Sequence, residues 1–169
     1  DERDFTGPCR LLCVAAASTQ CAATDLCLLA SGSFRGKRNS SDGSTYVPAG
    51  HARAQQALAP LLRQRSGSDK LYTQDALKGF LVPLVQRGYL HRETRKGGYA
   101  SYDVYSCALR GRAVADGNAQ VRLPPPAFVV DAERRERARA DERRAELVAA
   151  GADVSSIPPD QLAAGAGPV

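Results

Sequence analysis

Apolar side chains at Cys9, Leu12, Cys13 and Ala16 recur at i, i+3, i+4 and i+7, the repeat of a helix with one buried face. Thr6 reads as the N-cap of that helix, and Pro8 brings a fixed φ to its first turn. A second, short apolar helix is predicted from Thr24 or Asp25 through Leu29, stopping before Ser31 and Gly32. From there to Gly50 the chain is polar, basic and rich in turn formers, which predicts a loop. His51 to Gln64 has helical composition, with Leu58, Leu61 and Leu62 on one side and Pro60 weakening its later half. Arg65 to Lys70 is a second polar loop.

The clearest pattern comes next. Leu77, Phe80, Leu81, Leu84 and Val85 form an apolar stripe, Thr73 stands where an N-cap is expected, and Gly88 stands at the C-terminal cap. Pro83 interrupts this helix and predicts a bend, because a mid-helix proline removes a backbone bond at a cost of about 3 kcal/mol. Tyr89 to Glu93 and Tyr102 to Leu109 have strand composition, and Thr94 to Ser101, with Gly97 and Gly98, reads as a hairpin tip. A helical turn over Arg110 to Ala115 ends near Gly117. Val121 to Leu123 reads as an edge strand before Pro124, Pro125 and Pro126 stop it. Asp131 to Ala150 is helix-forming, densely charged and without an apolar stripe, which predicts a solvent-exposed rod; the remainder reads as a flexible tail.

The chain has 169 residues, 43% of them hydrophobic, and no apolar run near the roughly 18 residues of a membrane span. Its net charge of +5 conceals a division. Residues 1–130 carry 17 basic and 10 acidic side chains, whereas residues 131–169 carry 6 and 8. Between Ser31 and Arg112 the ratio is 14 to 5, so positive charge concentrates in the centre of the folded part and points to a polyanionic partner. Five cysteines without a CxxC pair, and two histidines, do not compose a zinc finger or ribbon; an odd number of cysteines suggests reduced thiols. His51 and His91 read as surface residues, and no nucleophile elbow or ordered acid–base pair surrounds a Ser, Cys or Asp. With no methionine even at position 1, the chain reads as a piece of a longer protein.

The element order predicts an α+β domain of winged-helix type, a three-helix core with a β-hairpin wing, over residues 1–128. A charged helix over 129–150 and a flexible tail over 151–169 follow it. Particular strings narrow this further: Asp4-Phe5-Thr6 leading to Leu11-Leu12, Leu28 to Ser33 with Arg38 beyond, Ser66 to Lys70, Phe80, Leu84, Val85, Gly88, Tyr89 and Leu90. Cys107-Ala108-Leu109, Gly111, Ala113, and Asp116-Gly117-Asn118 with Val121 and Leu123 complete the series. In order and spacing these resemble the winged-helix (RQC) domain of RecQ-family DNA helicases, nearest to the Werner and Bloom branch, over residues 4–123. The stretch from Asn39 to Arg63 is longer than that family usually has.

The resemblance implies a non-catalytic DNA-binding module of a 3′–5′ helicase, nuclear, and acting in DNA repair, recombination or replication. ATP, magnesium and zinc would belong to upstream domains absent from this chain, which contains no GxxxxGK[ST]. In the family the hairpin is a wedge that holds apart the terminal base pair of a duplex end, fork or junction. Arg92, Arg95 and Lys96 would meet phosphates along the wing, and Tyr99, with Tyr102 as substitute, would stack at its tip. Both tyrosines also fit an ordinary role as cross-strand aromatics. Arg35, Lys37 and Arg38 in the first loop and Arg65, Ser66, Ser68 and Lys70 in the second would hold duplex phosphates, with Lys78 on the third helix. If four phosphates are neutralised, log K falls against log salt with a slope of about −3.6.

Two other functions fit the same composition. A sequence-specific winged-helix transcription regulator would send Thr73 to Arg87 into a major groove, although that helix is mostly apolar. A protein-interaction module would take an acidic partner, and the charged C-terminal helix is itself a candidate protein-docking rod.

Overall fold

The computed structural model describes residues 1–65 and 68–151. The chain is mixed α and β, and it divides at the proline run into Asp1–Pro124 and a second unit from Pro125 onward. In the first unit α1 (Thr6–Ser18) and α2 (Ala23–Ser31) form close to the positions their apolar repeats predict. Thr6 is the first helical residue and not the cap. Asp4 takes the capping role, its Oδ1 accepting from the Thr6 backbone N–H at 2.9 Å, while Thr6 Oγ1 accepts from the Val121 N–H at 2.8 Å. The threonine is drawn into the helix because its hydroxyl closes a contact with the far end of the unit. There β1 (Arg3–Asp4) pairs antiparallel with β6 (Arg122–Leu123), which gives the predicted edge strand its partner.

The stretch predicted as loop after α2 contains a small antiparallel ribbon, β2 (Lys37–Arg38) with β3 (Thr45–Tyr46). Its turn is held by Asn39 and Asp42, whose side chains accept from the backbone N–H groups of Ser41 and Ser44. Next, α3 (Ala49–Arg63) packs against α1 and α2 through His51, Ala54 and Leu58. His51 is therefore core and not surface, with 6% exposure. Leu62, half-buried, lines one cleft with Leu58, Leu29 and Phe34, while Leu61, also half-buried, lines a second cleft beside Gly7.

A 3-10 turn (Asp69–Tyr72) leads to Thr73, whose Oγ1 accepts from the Ala76 N–H at 3.2 Å, as an N-cap should. The single bent helix expected here is two helices, α4 (Gln74–Lys78) and α5 (Leu81–Gln86), joined through Gly79 and Phe80. Pro83 occupies the first turn of α5, where N–H groups lack intrahelical partners in any case, so the chain restarts instead of bending. Leu77, Phe80 and Leu84 from this pair are fully buried with Leu12 of α1, Leu26 and Leu29 of α2, and Leu58 of α3. The Phe5 and Phe80 rings meet at 5.2 Å between centroids. Each such side chain contributes about 1.5–3 kcal/mol on burial, so this cluster is what holds the helices in register.

The hairpin is longer and tighter than the sequence pattern suggests. Strands β4 (Leu90–Gly97) and β5 (Ala100–Cys107) pair from Leu90 opposite Cys107 out to Gly97 opposite Ala100. Only Gly98 and Tyr99 are left for the turn. Gly98 has φ +51°, and a positive φ at the first turn residue matches the twist of the strands, so the predicted eight-residue tip zips into strand instead. Cys21, between α1 and α2, bridges to Tyr105 on the outer edge of β5 through bonds of 3.4 and 2.9 Å. Helix α6 (Leu109–Ala115) closes the base of the hairpin, packing on β5 and α1.

In the second unit α7 (Ala127–Ala149) starts before the predicted Asp131, directly after Pro126. A proline is well tolerated just ahead of a first turn, so the helix takes up Phe128, Val129 and Val130 as soon as the proline run ends. An Asp131–Arg134 pair at 3.7 Å supports its first turns. The predicted tail lies outside the described residues except for Gly151.

Candidate nucleic-acid interface

Every residue from His91 through Tyr102 is solvent-exposed, so the outer part of the β4–β5 hairpin stands free of the unit's own core. Tyr99, at the turn, is fully exposed and touches no folded neighbour in any ring contact. Tyr102 behaves differently. It lies opposite Arg95, is 49% exposed, and its ring covers Gly97, where an added Cβ would sit 3.0 Å from the ring. That is the position of a cross-strand aromatic, while Tyr99 has no such use within the fold.

Because side chains alternate across a strand, the register sorts the hairpin's cations by face. Arg92 and Lys96 share one face with Thr94, Ser101, Asp103 and Tyr105; Arg95 lies on the other with His91, Glu93, Tyr102 and Val104. Asp103 is held by Thr94 Oγ1 at 2.7 Å. Arg95 is engaged twice, donating to Gln20 Oε1 at 3.0 Å and standing 3.5 Å from Glu93. Arg92 and Lys96 form no ion pair among the described residues and are free to meet an anion.

The first loop holds a polar cluster that the sequence reading did not contain. Lys37 Nζ lies 2.9 Å from Asp25 Oδ2, and His51 Nε2 lies 3.0 Å from the same oxygen. The carboxylate fixes the Nε2–H tautomer, since that nitrogen must donate. His51 stacks on Phe34 at 4.9 Å, and its Nδ1 is buried without a hydrogen-bond partner. Burial tends to raise the Asp25 carboxyl, but the hydrogen bonds from Lys37 and His51 outweigh it and hold Asp25 below the ordinary carboxylate range. Lys37 is raised by the same bond. Lys37 thus anchors β2 to α2, with 44% of its side chain exposed. Arg35 is likewise committed, its guanidinium donating to the Gly32 and Phe34 carbonyls beyond the end of α2 at 3.0 and 3.3 Å. Arg38 is exposed and forms no ion pair among the described residues. The only forewarning in the sequence was Asp25, the single acid between Asp4 and Asp42.

Arg65 lies over the Tyr72 ring at 5.4 Å and 3.6 Å from Asp69, beside a cleft of about 140 Å³ lined by Gly7, Arg10 and Leu61. Ser68 Oγ accepts from the Lys70 N–H at 3.3 Å and so caps the 3-10 turn. Lys70 and Lys78 are exposed, and Ser66 lies outside the described residues. Arg65 sits near the start of α1, whereas Lys37 and Arg95 gather around Gln20 and Cys21, just past its end, and Lys78 lies near Cys27 of α2. A helix of 13 residues separates the two ends by about 20 Å. Arg65 therefore does not share one patch with Lys37 and Arg95. No set of three or more His, Cys, Asp or Glu able to hold a metal occurs among the described residues, and no described helix is long and apolar enough to cross a membrane. No protein-family model, curated protein or solved structure matches the chain.

Proposed function

We propose that Asp1–Pro124 is a winged-helix DNA-binding module of the RecQ-helicase type, which engages a duplex end, fork or junction with the β4–β5 hairpin as its wing. The reading takes α1, the Cys21 bridge, α2, the α4–α5 pair and the hairpin as the helix–strand–helix–helix–wing order, with β2, β3 and α3 inserted. Catalysis, ATP, magnesium and zinc belong to other domains of a nuclear repair or recombination helicase, and this unit supplies grip and wedge.

The observation that carries the proposal is Tyr99, fully exposed at the tip of the ribbon, with Lys96 beside the tip and Arg92 on the same face nearer the root. Base–aromatic stacking is worth about 1–3 kcal/mol, against a mean of about 1.4 kcal/mol for a base-pair step, so one ring can hold a terminal pair open.

The test is a fluorescent base analogue at a blunt duplex end, with wild type compared with Tyr99→Ala. Wild type is expected to unpair the end, and the variant to lose about tenfold in that equilibrium at unchanged fold stability. Affinity should fall with salt at a slope near −3.6, as for four neutralised phosphates. Binding without unpairing in either protein would reduce the hairpin to an anchor. One preferred duplex sequence would indicate a regulator, and no binding at low salt a protein-interaction module.

A further inference from the structure

The first unit has a second chemically distinctive place, at the root of the hairpin. An open cleft of about 390 Å³ lies at the C-terminal end of α1, lined by Ser18, Thr19 and Gln20 and, from β5, by Ser106. Arg53 of α3 and Arg112 of α6 complete its rim, and no Asp or Glu among the described residues lines it. Gly50, at the start of α3, fixes one edge: an added Cβ there would stand 2.5 Å from Thr19 Oγ1 and 3.6 Å from an Arg53 terminal nitrogen, so hydroxyl and guanidinium are neighbours over the bare glycine. We propose that this cleft is an oxyanion site that takes a phosphate group, free or at the end of a nucleic-acid strand, between Arg53 and Arg112.

The cleft is rich in donors that the fold leaves unused. Arg53 and Arg112 are exposed and form neither an ion pair nor a side-chain hydrogen bond among the described residues, whereas Arg35, Arg87 and Arg110 each spend a guanidinium on a carbonyl or a carboxylate. The Ser106 hydroxyl has no partner among the described residues either. Gln20 accepts from Arg95 through Oε1 at 3.0 Å, which leaves its amide NH2 to donate. Thr19 Oγ1 reaches only the Gln20 carbonyl at 3.5 Å, the outer limit of a hydrogen bond, and can turn to a better acceptor. Guanidinium forks from two separate helices suit a tetrahedral anion with several acceptor oxygens better than a planar carboxylate, which one fork satisfies. The carbonyls at the end of α1 work against an anion, but those of Val14 and Ala15 are already occupied by Ser18 Oγ at 2.9 Å and the Thr19 N–H at 3.1 Å. At roughly 30 Å³ per water the cleft has room for about a dozen waters, ample for phosphate with its first hydration waters. Ser106 lies about 24 Å along the ribbon from Tyr99, so the site stands whether or not the wing opens a duplex.

The test titrates the full chain, labelled with nitrogen-15, with sodium phosphate at constant ionic strength and follows the backbone amide signals. Those of Thr19, Gln20 and Ser106 should move and saturate. Arg53→Gln and Arg112→Gln should each weaken the site about tenfold, and at an unchanged thermal midpoint, because both side chains are exposed. Tyr99→Ala, which removes the wedge of the proposed function, should leave phosphate affinity as it is. Thymidine 5′-monophosphate binding more tightly than inorganic phosphate assigns a strand end as the ligand, and equal or weaker binding assigns the free anion. Shifts that do not saturate, unchanged affinity in either arginine variant, loss of the site in Tyr99→Ala, or sodium acetate binding as tightly as phosphate would overturn the proposal.

Discussion

Replacing Gly111 by alanine sets two physical effects against each other, and the structure decides the sign. Gly111 lies inside α6, and by helix propensity alone the change should stabilise the protein by up to about 1 kcal/mol. Gly111 is buried, however, and a Cβ there would stand 2.0 Å from the Tyr89 carbonyl oxygen and 3.0 Å from Cys107 Sγ. The carbonyl cannot swing away freely, because it accepts from the Ala108 N–H at 3.1 Å and leads directly into β4. Either α6 lifts off the base of the hairpin or the start of β4 shifts. Overpacking of this kind costs about 3 kcal/mol, which leaves a net loss of about 2 kcal/mol after the propensity gain. For a chain of 169 residues that is a fall in Tm of about 4–8 °C, measurable by thermal denaturation followed by circular dichroism. An Arg112→Ala change one residue along the same helix is the control for generic effects on α6. A Gly111→Ala protein as stable as wild type, or more stable, would show that α6 does not pack against the hairpin root as described.

Two further expectations concern the polar contacts. Since Asp25 is depressed by Lys37 and His51, it stabilises the fold above the unfolded carboxyl pKa of about 3.9, and that contribution is lost as pH falls through its lower folded value. Asp25→Asn should therefore be less stable than wild type at pH 7, with the gap closing in acid, as read from urea midpoints; a gap independent of pH would refute the pairing. Asp4→Ala should cost about 1 kcal/mol, because the carboxylate caps the first turn of α1 through the Thr6 N–H. Retained stability in urea titrations would show that the cap is dispensable.

The element series was legible because it is written locally. The repeat through Cys9, Leu12 and Cys13, the cap at Thr73 and the glycines before Tyr99 each act within a few residues, so α1, α2, α4, α6 and a hairpin follow from pattern. The exposed tyrosine at the tip follows from the same pattern, since a turn between paired strands has nowhere to bury a ring. The ends of these elements were less legible. Zipping of the hairpin to Gly97 and the restart of the helix at Leu81 depend on how far pairing and packing carry past a marginal residue.

Which cations remain available was not written in the sequence at all. Lys37 and Arg95 are indistinguishable from Arg92 and Lys96 by residue type, yet they are claimed by Asp25 and Gln20 from elsewhere in the chain. His51 has the same polarity as His91, but it is buried because α3 rotates it against Phe34. Arg65 and Arg95 fall at opposite ends of α1. Sequence pattern determined the elements, because hydrogen bonds and periodic burial along one segment are short-range effects. Tertiary packing alone decided which charges pair and which groups face solvent, because those are set by neighbours that only the folded chain brings together.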